Sequence, residues 1–263
     1  MNRLEQFFSK EKQRKALTVY YTCGCPDKES TAQNIIKFID SGADIIELGI
    51  PFSEPMADGP IIQTAAERAI DNNTTLSDGF EVTSKIRKER ACVPIVLFTY
   101  YNIIFKYGVE KALAEFANAG GDALLIVDLP FEEQNEINEY CEVNNLHLIQ
   151  LIAPETPIDR MEKIAEAAKG FIYMVTVNGV TGERTELPSE LADKVRELKS
   201  LTKVPVLAGF GISDSITAKS AAAECDGVVV GSAIMTRVLE SKKDLAKLEE
   251  ACELIASISD ALE

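Results

Sequence analysis

Short runs of apolar residues alternate with helix-patterned segments along the chain. The runs are "ALTVYYT" from Ala16, "DIIELGI" from Asp44, "PIVLFTYY" from Pro94 and "ALLIVDLP" from Ala123, then "HLIQLIAP" from His147, "FIYMVTV" from Phe171, "VPVLAGFG" from Val204 and "DGVVVGSA" from Asp226. Runs that are apolar on both faces suit strands of a parallel sheet covered by helices. Between them, "VEKALAEFANAGG" puts Val109, Ala112, Leu113 and Phe116 on one helical face and stops at Gly120. "PIDRMEKIAEAAKG" opens on Pro157, aligns Met161, Ile164, Ala165 and Ala168, and stops at Gly170. A last helix carries Leu245, Leu248, Ala251, Ile255 and Ile258, and "MNRLEQFFSKEKQRK" reads as a short, charged, amphipathic leading helix.

"SGADIIELG", "AGGDALLIVD" and "AECDGVVVG" repeat the order small residue, Asp, strand. Their spacing is irregular, which excludes a solenoid and points to one βα unit used repeatedly. Eight runs in βα alternation predict a (β/α)8 TIM barrel with a short N-terminal helix, occupying residues 1–263 as one domain. A doubly wound open sheet is the alternative.

Composition narrows the function. With 27 Lys+Arg against 42 Asp+Glu, the net charge is −15, which disfavours nucleic acid and anionic membranes. A phosphate would have to be held locally, by backbone amides or a few basic groups. Six cysteines without a paired CxxC pattern, and a single histidine, His147, argue against structural zinc, a disulfide framework and Ser-His-Asp chemistry. Reduced cysteines and the lack of a long apolar run fit a soluble cytoplasmic protein.

The candidate chemistry sits in "IIELGIPFSEPMADGP". Strand side chains alternate faces, so if Ile46 and Leu48 pack on helices, Glu47 points into the barrel. Near the C-terminal end of a barrel strand, a desolvated carboxyl is a candidate acid or base; a structural carboxylate bonded to backbone or lysine is the plainer reading. Asp58 follows in a Pro- and Gly-bounded loop on the same side, where it could also be a simple turn or cap residue. "GFGIS" (Gly209 to Ser213) and "GSAI" (Gly231 to Ile234) follow the seventh and eighth runs, where barrels often bind phosphate. "VNGVTGERTELP", after the sixth run, could act as a lid or be an ordinary surface loop.

Together with "FTYYNIIFKYG", "IVDLPFEE" and "GVTG", these motifs closely resemble the tryptophan synthase alpha subunit family in order and spacing, from "YYTCGCP" to the last helix. The resemblance implies a retro-aldol lyase that cleaves indole-3-glycerol phosphate to indole and glyceraldehyde 3-phosphate. It implies that Glu47 is the acid/base serving indole C3, that Asp58 pairs with the indole N–H, and that Tyr173 supports them. It puts phosphate contacts at Gly182, Gly211, Gly231 and Ser232. The apolar indole slot falls on Tyr20, Phe98, Tyr100, Leu125 and Phe210, all of which also suit plain barrel packing. Thr181 would reach towards Asp58 on loop closure. The implied partner is a beta subunit carrying pyridoxal phosphate, in an α2β2 assembly, facing the loops around Pro55 and Pro130; this chain would need no cofactor or metal of its own.

The chain departs from the family pattern at Cys25 ("GCP"), Glu54 ("FSEP"), "YNI", and Thr176-Val177. These departures bear on lid closure and partner coupling, not on Glu47 or Asp58. The rival readings are another phosphate-binding barrel, such as a sugar-phosphate isomerase, and a non-catalytic barrel that regulates a beta subunit.

Overall fold

The computed structural model describes residues 1–9, 15–175, 189–209, 211–242 and 244–263. Its strands are β1 (Ala16–Thr22), β2 (Ile45–Gly49), β3 (Ile95–Thr99), β4 (Ala123–Ile126), β5 (His147–Leu148), β6 (Gln150–Ile152), β7 (Ile172–Val175), β8 (Val206–Gly209) and β9 (Gly227–Val230). The helices are α1 (Arg3–Ser9), α2 (Lys28–Asp40), α3 (Pro60–Asp71), α4 (Leu76–Glu89), α5 (Tyr101–Tyr107), α6 (Val109–Ala119), α7 (Asn135–Val143), α8 (Ile158–Ala167), α9 (Ser189–Leu201), α10 (Ser215–Glu224), α11 (Ser232–Ser241) and α12 (Ala246–Ala261).

Every strand pairing is parallel, in the order β5-β4-β3-β2-β1-β9-β8-β7-β6. The two ends of that order are one continuous piece of chain. The Ile149 N–H still donates to the Leu124 carbonyl on the β4 side at 2.8 Å, while Gln150 already pairs with Ile172 of β7. The fifth apolar run is therefore divided, its first half serving one neighbour and its second half the other. This division is how eight expected strands become nine segments of a (β/α)8 barrel, and it rules out the open sheet.

The two-residue alternation sorts the core into two shells. Ile46, Leu48, Leu97 and Leu124 face the helices. Ile45, Val96, Ala123, Leu125, Phe171 and Leu207 fill the barrel, and Leu4 of α1 joins them to plug its floor. Helix α6 ends as expected, on Gly120 at φ 97°, a left-handed turn that suits glycine. Leu245 departs from expectation: it precedes α12 and is 81% exposed, so the apolar face begins at Leu248.

The repeated Asp has a structural meaning. Asp44, Asp122 and Asp226 each stand just before a strand, and each backbone N–H donates to the carbonyl near the start of the adjacent strand (Leu17, Ile95 and Val206). The carboxylate then accepts that same residue's N–H, at 3.0, 2.9 and 3.0 Å respectively. One Asp thus closes the bottom of a two-strand step with both its main chain and its side chain. Asp122 also binds Arg87 and Arg3, each at 3.0 Å, while its carbonyl accepts from the Asn2 amide at 2.8 Å, so α1 is pinned to the barrel floor.

Removing one partner of a buried charge cluster is more costly than never having had it. Asp122→Ala should lower unfolding stability in urea by about 3 kcal/mol, with Asp122→Asn intermediate. A loss below about 0.5 kcal/mol, the usual range for a surface substitution, would show that the arginines carry no weight there.

Candidate active site

Strand β2 delivers Glu47 inward, in register with Tyr20 of β1 and Val96 of β3. Glu47 is 1% exposed, and its Oε1 has no hydrogen-bond partner among the described residues. Burial alone pushes its carboxyl up to about 8, because desolvation disfavours the charged form. The lysine or backbone partner required by the plain structural reading is absent among the described residues.

Asp58 comes from the loop between β2 and α3. The Tyr100 hydroxyl donates to its Oδ2 at 3.0 Å, and the Ala57 N–H donates to the Tyr100 oxygen at 3.0 Å. Phe52 stacks on the Tyr100 ring, with centroids 4.8 Å apart. The carboxyl is half-buried and raised to about 6, burial pushing it up and the Tyr100 hydrogen bond pulling it down. Tyr100, expected as slot wall, is therefore also the tether of Asp58, a polar role that its place in an apolar run hides. Phe52 was not singled out in the sequence at all; aromatic spacing within a loop carries no periodic signal.

Two inward tyrosines lean across neighbouring strands. A side-chain carbon built on Gly49 would lie 2.1 Å from the Tyr20 hydroxyl, and one on Gly209 would lie 2.3 Å from that of Tyr173. Each glycine is the clearance for a tyrosine one strand away. Gly49 had a readable signal, since it shares the inward face of β2 with Glu47. Burial raises the affinity of both tyrosines for their protons, and the charges of Glu47 and Asp58 add to it.

Phe98 and Leu125 are register partners on β3 and β4, and Phe98 meets Tyr20 edge-on at 5.1 Å. Tyr20, Phe98 and Leu125 thus continue the wall beside Glu47. Across the mouth, Gly211 adopts φ 66° with nothing within 4 Å of its missing side chain. Gly231 follows β9 directly and caps α11, which begins at Ser232. The first N–H groups of such a helix lack intrahelical acceptors and suit an anion. Thr176, Val177, Thr181, Gly182 and Phe210 lie outside the described residues. Cys25 is fully buried, its thiol pushed up to about 12 by burial, whereas Glu54 lies exposed in the mouth loop. All six cysteines are free, and no cluster of metal-ligating side chains occurs among the described residues. Among those residues, no helix is long and apolar enough to cross a membrane.

A parallel barrel with two unlike carboxyls and a free helix N-terminus at its C-terminal mouth has the build of a (β/α)8 enzyme. Comparison with known proteins narrows the class. The family model for the tryptophan synthase alpha chain matches residues 7–262. The tryptophan synthase alpha chain of Caldanaerobacter subterraneus subsp. tengcongensis is 41% identical over the full length of both chains, and that of Clostridium beijerinckii is 40% identical, again over both full lengths. The crystal structure of the Legionella pneumophila alpha chain superposes with a TM-score of 0.91 at 32% identity, covering 100% of this chain and 97% of that one. A chain of aminoacrylate-bound tryptophan synthase from M. tuberculosis superposes at 0.88 with 29% identity, covering both chains fully. The chain belongs to the tryptophan synthase alpha chain family.

The burial of Glu47 has a stability consequence. Its folded value of about 8 lies above the ordinary 4.5. The folded state therefore holds this proton more tightly, and the associated stability, full below about 4.5, is lost as pH rises through about 8. Glu47→Gln should match wild type in thermal stability near pH 5 and exceed it near pH 9 by on the order of a few kcal/mol. A difference that stays constant with pH would contradict a desolvated Glu47.

Proposed function

We propose that this chain cleaves indole-3-glycerol phosphate by a retro-aldol reaction, with Glu47 and Asp58 dividing the acid–base work. The observation that carries this reading is the pairing of a buried Glu47, whose Oε1 has no partner among the described residues, with a half-buried Asp58 held by the Tyr100 hydroxyl; burial raises the first to about 8 and the second to about 6. Near neutral pH Glu47 is mostly protonated and Asp58 mostly ionised. Glu47 gives its proton to indole C3, which turns the ring into a leaving group. Asp58 accepts a hydrogen bond from the ring N–H and stabilises the positive charge that develops there. The bond from C3 to the glycerol carbon then breaks, its electron pair returning to the indole. The hydroxyl on that carbon becomes the aldehyde of glyceraldehyde 3-phosphate, and its proton returns to Glu47. Tyr173 supports Glu47 from β7, and the Tyr100 hydrogen bond keeps Asp58 aimed at the N–H.

Tyr20, Phe98, Leu125 and Phe210 form the slot for the indole ring, with Tyr100 at its edge. The phosphate is held by backbone N–H groups at Gly182, Gly211, Gly231 and Ser232, which is how a chain with a net charge of −15 can bind a dianion. Indole passes to a beta subunit across the loops around Pro55 and Pro130, in an α2β2 assembly of the cytoplasm, and the exposed Glu54 is the mouth charge available to that partner.

Purified protein should release indole from indole-3-glycerol phosphate, faster with a beta subunit present. Its kcat/KM should form a bell, with limbs near the Asp58 and Glu47 values of about 6 and about 8. Glu47→Gln should abolish release while leaving substrate binding within a few-fold. Folded protein that releases nothing, with or without the partner, would instead support the regulatory reading.

A further inference from the structure

The mechanism uses the ring of Tyr20 and leaves its hydroxyl without a task. Tyr20 is 7% exposed, and a buried phenol ordinarily finds a hydrogen-bond partner. Thr22 Oγ1 donates to the Tyr20 oxygen at 3.3 Å, so that oxygen is an acceptor there and its own proton points elsewhere. No described residue takes that proton. Phe98, edge-on at 5.1 Å and 80°, holds the ring, and the gap left by Gly49 fixes the oxygen above β2 on the mouth side of Glu47.

Glu47 shows the converse. Its Oε1 is buried and receives no hydrogen bond from any described residue. Tyr20 and Glu47 are register partners on adjacent strands and share the inward face. A donor without an acceptor and an acceptor without a donor therefore share one inward wall, the phenol oxygen lying over Gly49, two residues along β2 from Glu47. The other ionisable groups facing this pair are Asp58 from the mouth loop, Tyr100 beside it, and Tyr173 from β7. Tyr173 is half-buried and its oxygen lies in the clearance over Gly209 on β8, whereas Tyr20 is 7% exposed and stands on β1, beside the strand that carries Glu47.

We propose that the Tyr20 hydroxyl donates to the Glu47 carboxylate whenever Glu47 is ionised, which makes Tyr20 a positioning residue of the acid–base centre as well as a wall of the slot. A protonated Glu47 needs no donor. Once its proton has gone to the substrate carbon, Glu47 is an anion without water, and a charge-assisted hydrogen bond from a phenol fixed alongside offsets part of that cost. The step is a reorientation of side chains around an ionisation, and no bond beyond those of the main reaction forms or breaks. The proposal rests on Glu47 being the acid/base.

Tyr20→Phe keeps the ring and its packing, so the fold should survive. The test is a pH titration of the Glu47 carboxyl by NMR on protein labelled with carbon-13 at glutamate, the resonance being assigned by its loss in Glu47→Gln. The midpoint should move up by about half a pH unit or more in Tyr20→Phe, because a donor to the charged form has gone. In parallel, kcat for indole release should fall about three- to ten-fold with KM little changed. An unmoved midpoint would overturn the proposal even if kcat fell, since Tyr20 would then act on the substrate directly. Wild-type protein that releases no indole would defeat the functional reading, while the titration would still decide the Tyr20 contact.

Discussion

The structure depends on one constraint, the two-residue alternation of strands closed into a barrel. Each inward side chain is surrounded by strands on all sides and can reach water only through the ends. One inward position below the last residue of β2, a carboxyl is dry, and Glu47 occupies that position. Inverting the parity of β2 would put Ile46 and Leu48 inside and Glu47 under a helix. Everything else at the site follows from how neighbouring elements accommodate that one inward acid.

The same acidic chemistry is put to opposite uses at the two ends of the barrel. At the floor, Asp122 accepts from Arg3, Arg87 and the Ile95 N–H, so its charge is fully matched. At the mouth, Glu47 has an oxygen with no partner, and no cation offsets its burial, among the described residues. A matched carboxylate holds strands together but has no reason to exchange its proton. An unmatched one is costly for the fold and useful for proton transfer. The floor can supply that stability because its Asp residues satisfy both main chain and side chain in a single turn of sequence.

These differences explain what was legible in the sequence. Strand order, the inward direction of Glu47 and the glycine stops of helices such as α6 rest on local periodicity, and a single chain displays periodicity directly. The Asp repeat was visible, but its meaning was not, because the carboxylate acts on the preceding strand, some twenty or more residues away in each case. The Tyr100–Asp58 hydrogen bond and the glycine clearances under Tyr20 and Tyr173 were hidden for the same reason. They are relations between neighbouring strands, set by register and shear. The split of the fifth run has no local signal either, since it arises only where the barrel closes on itself.

Glu47 and Asp58 share the mouth but not the same surroundings. Both are raised by burial, but Asp58 is the less deeply buried of the two and also accepts from the Tyr100 hydroxyl, and so it stays nearer its ordinary value. Two fully desolvated acids would both hold their protons at neutral pH, and two solvated acids would both lose them. Partial exposure and the Tyr100 hydrogen bond, itself braced by Phe52 and the Ala57 N–H, together hold Asp58 below Glu47. The loop after β2 thus shapes the pair of carboxyls as much as the strand that carries Glu47.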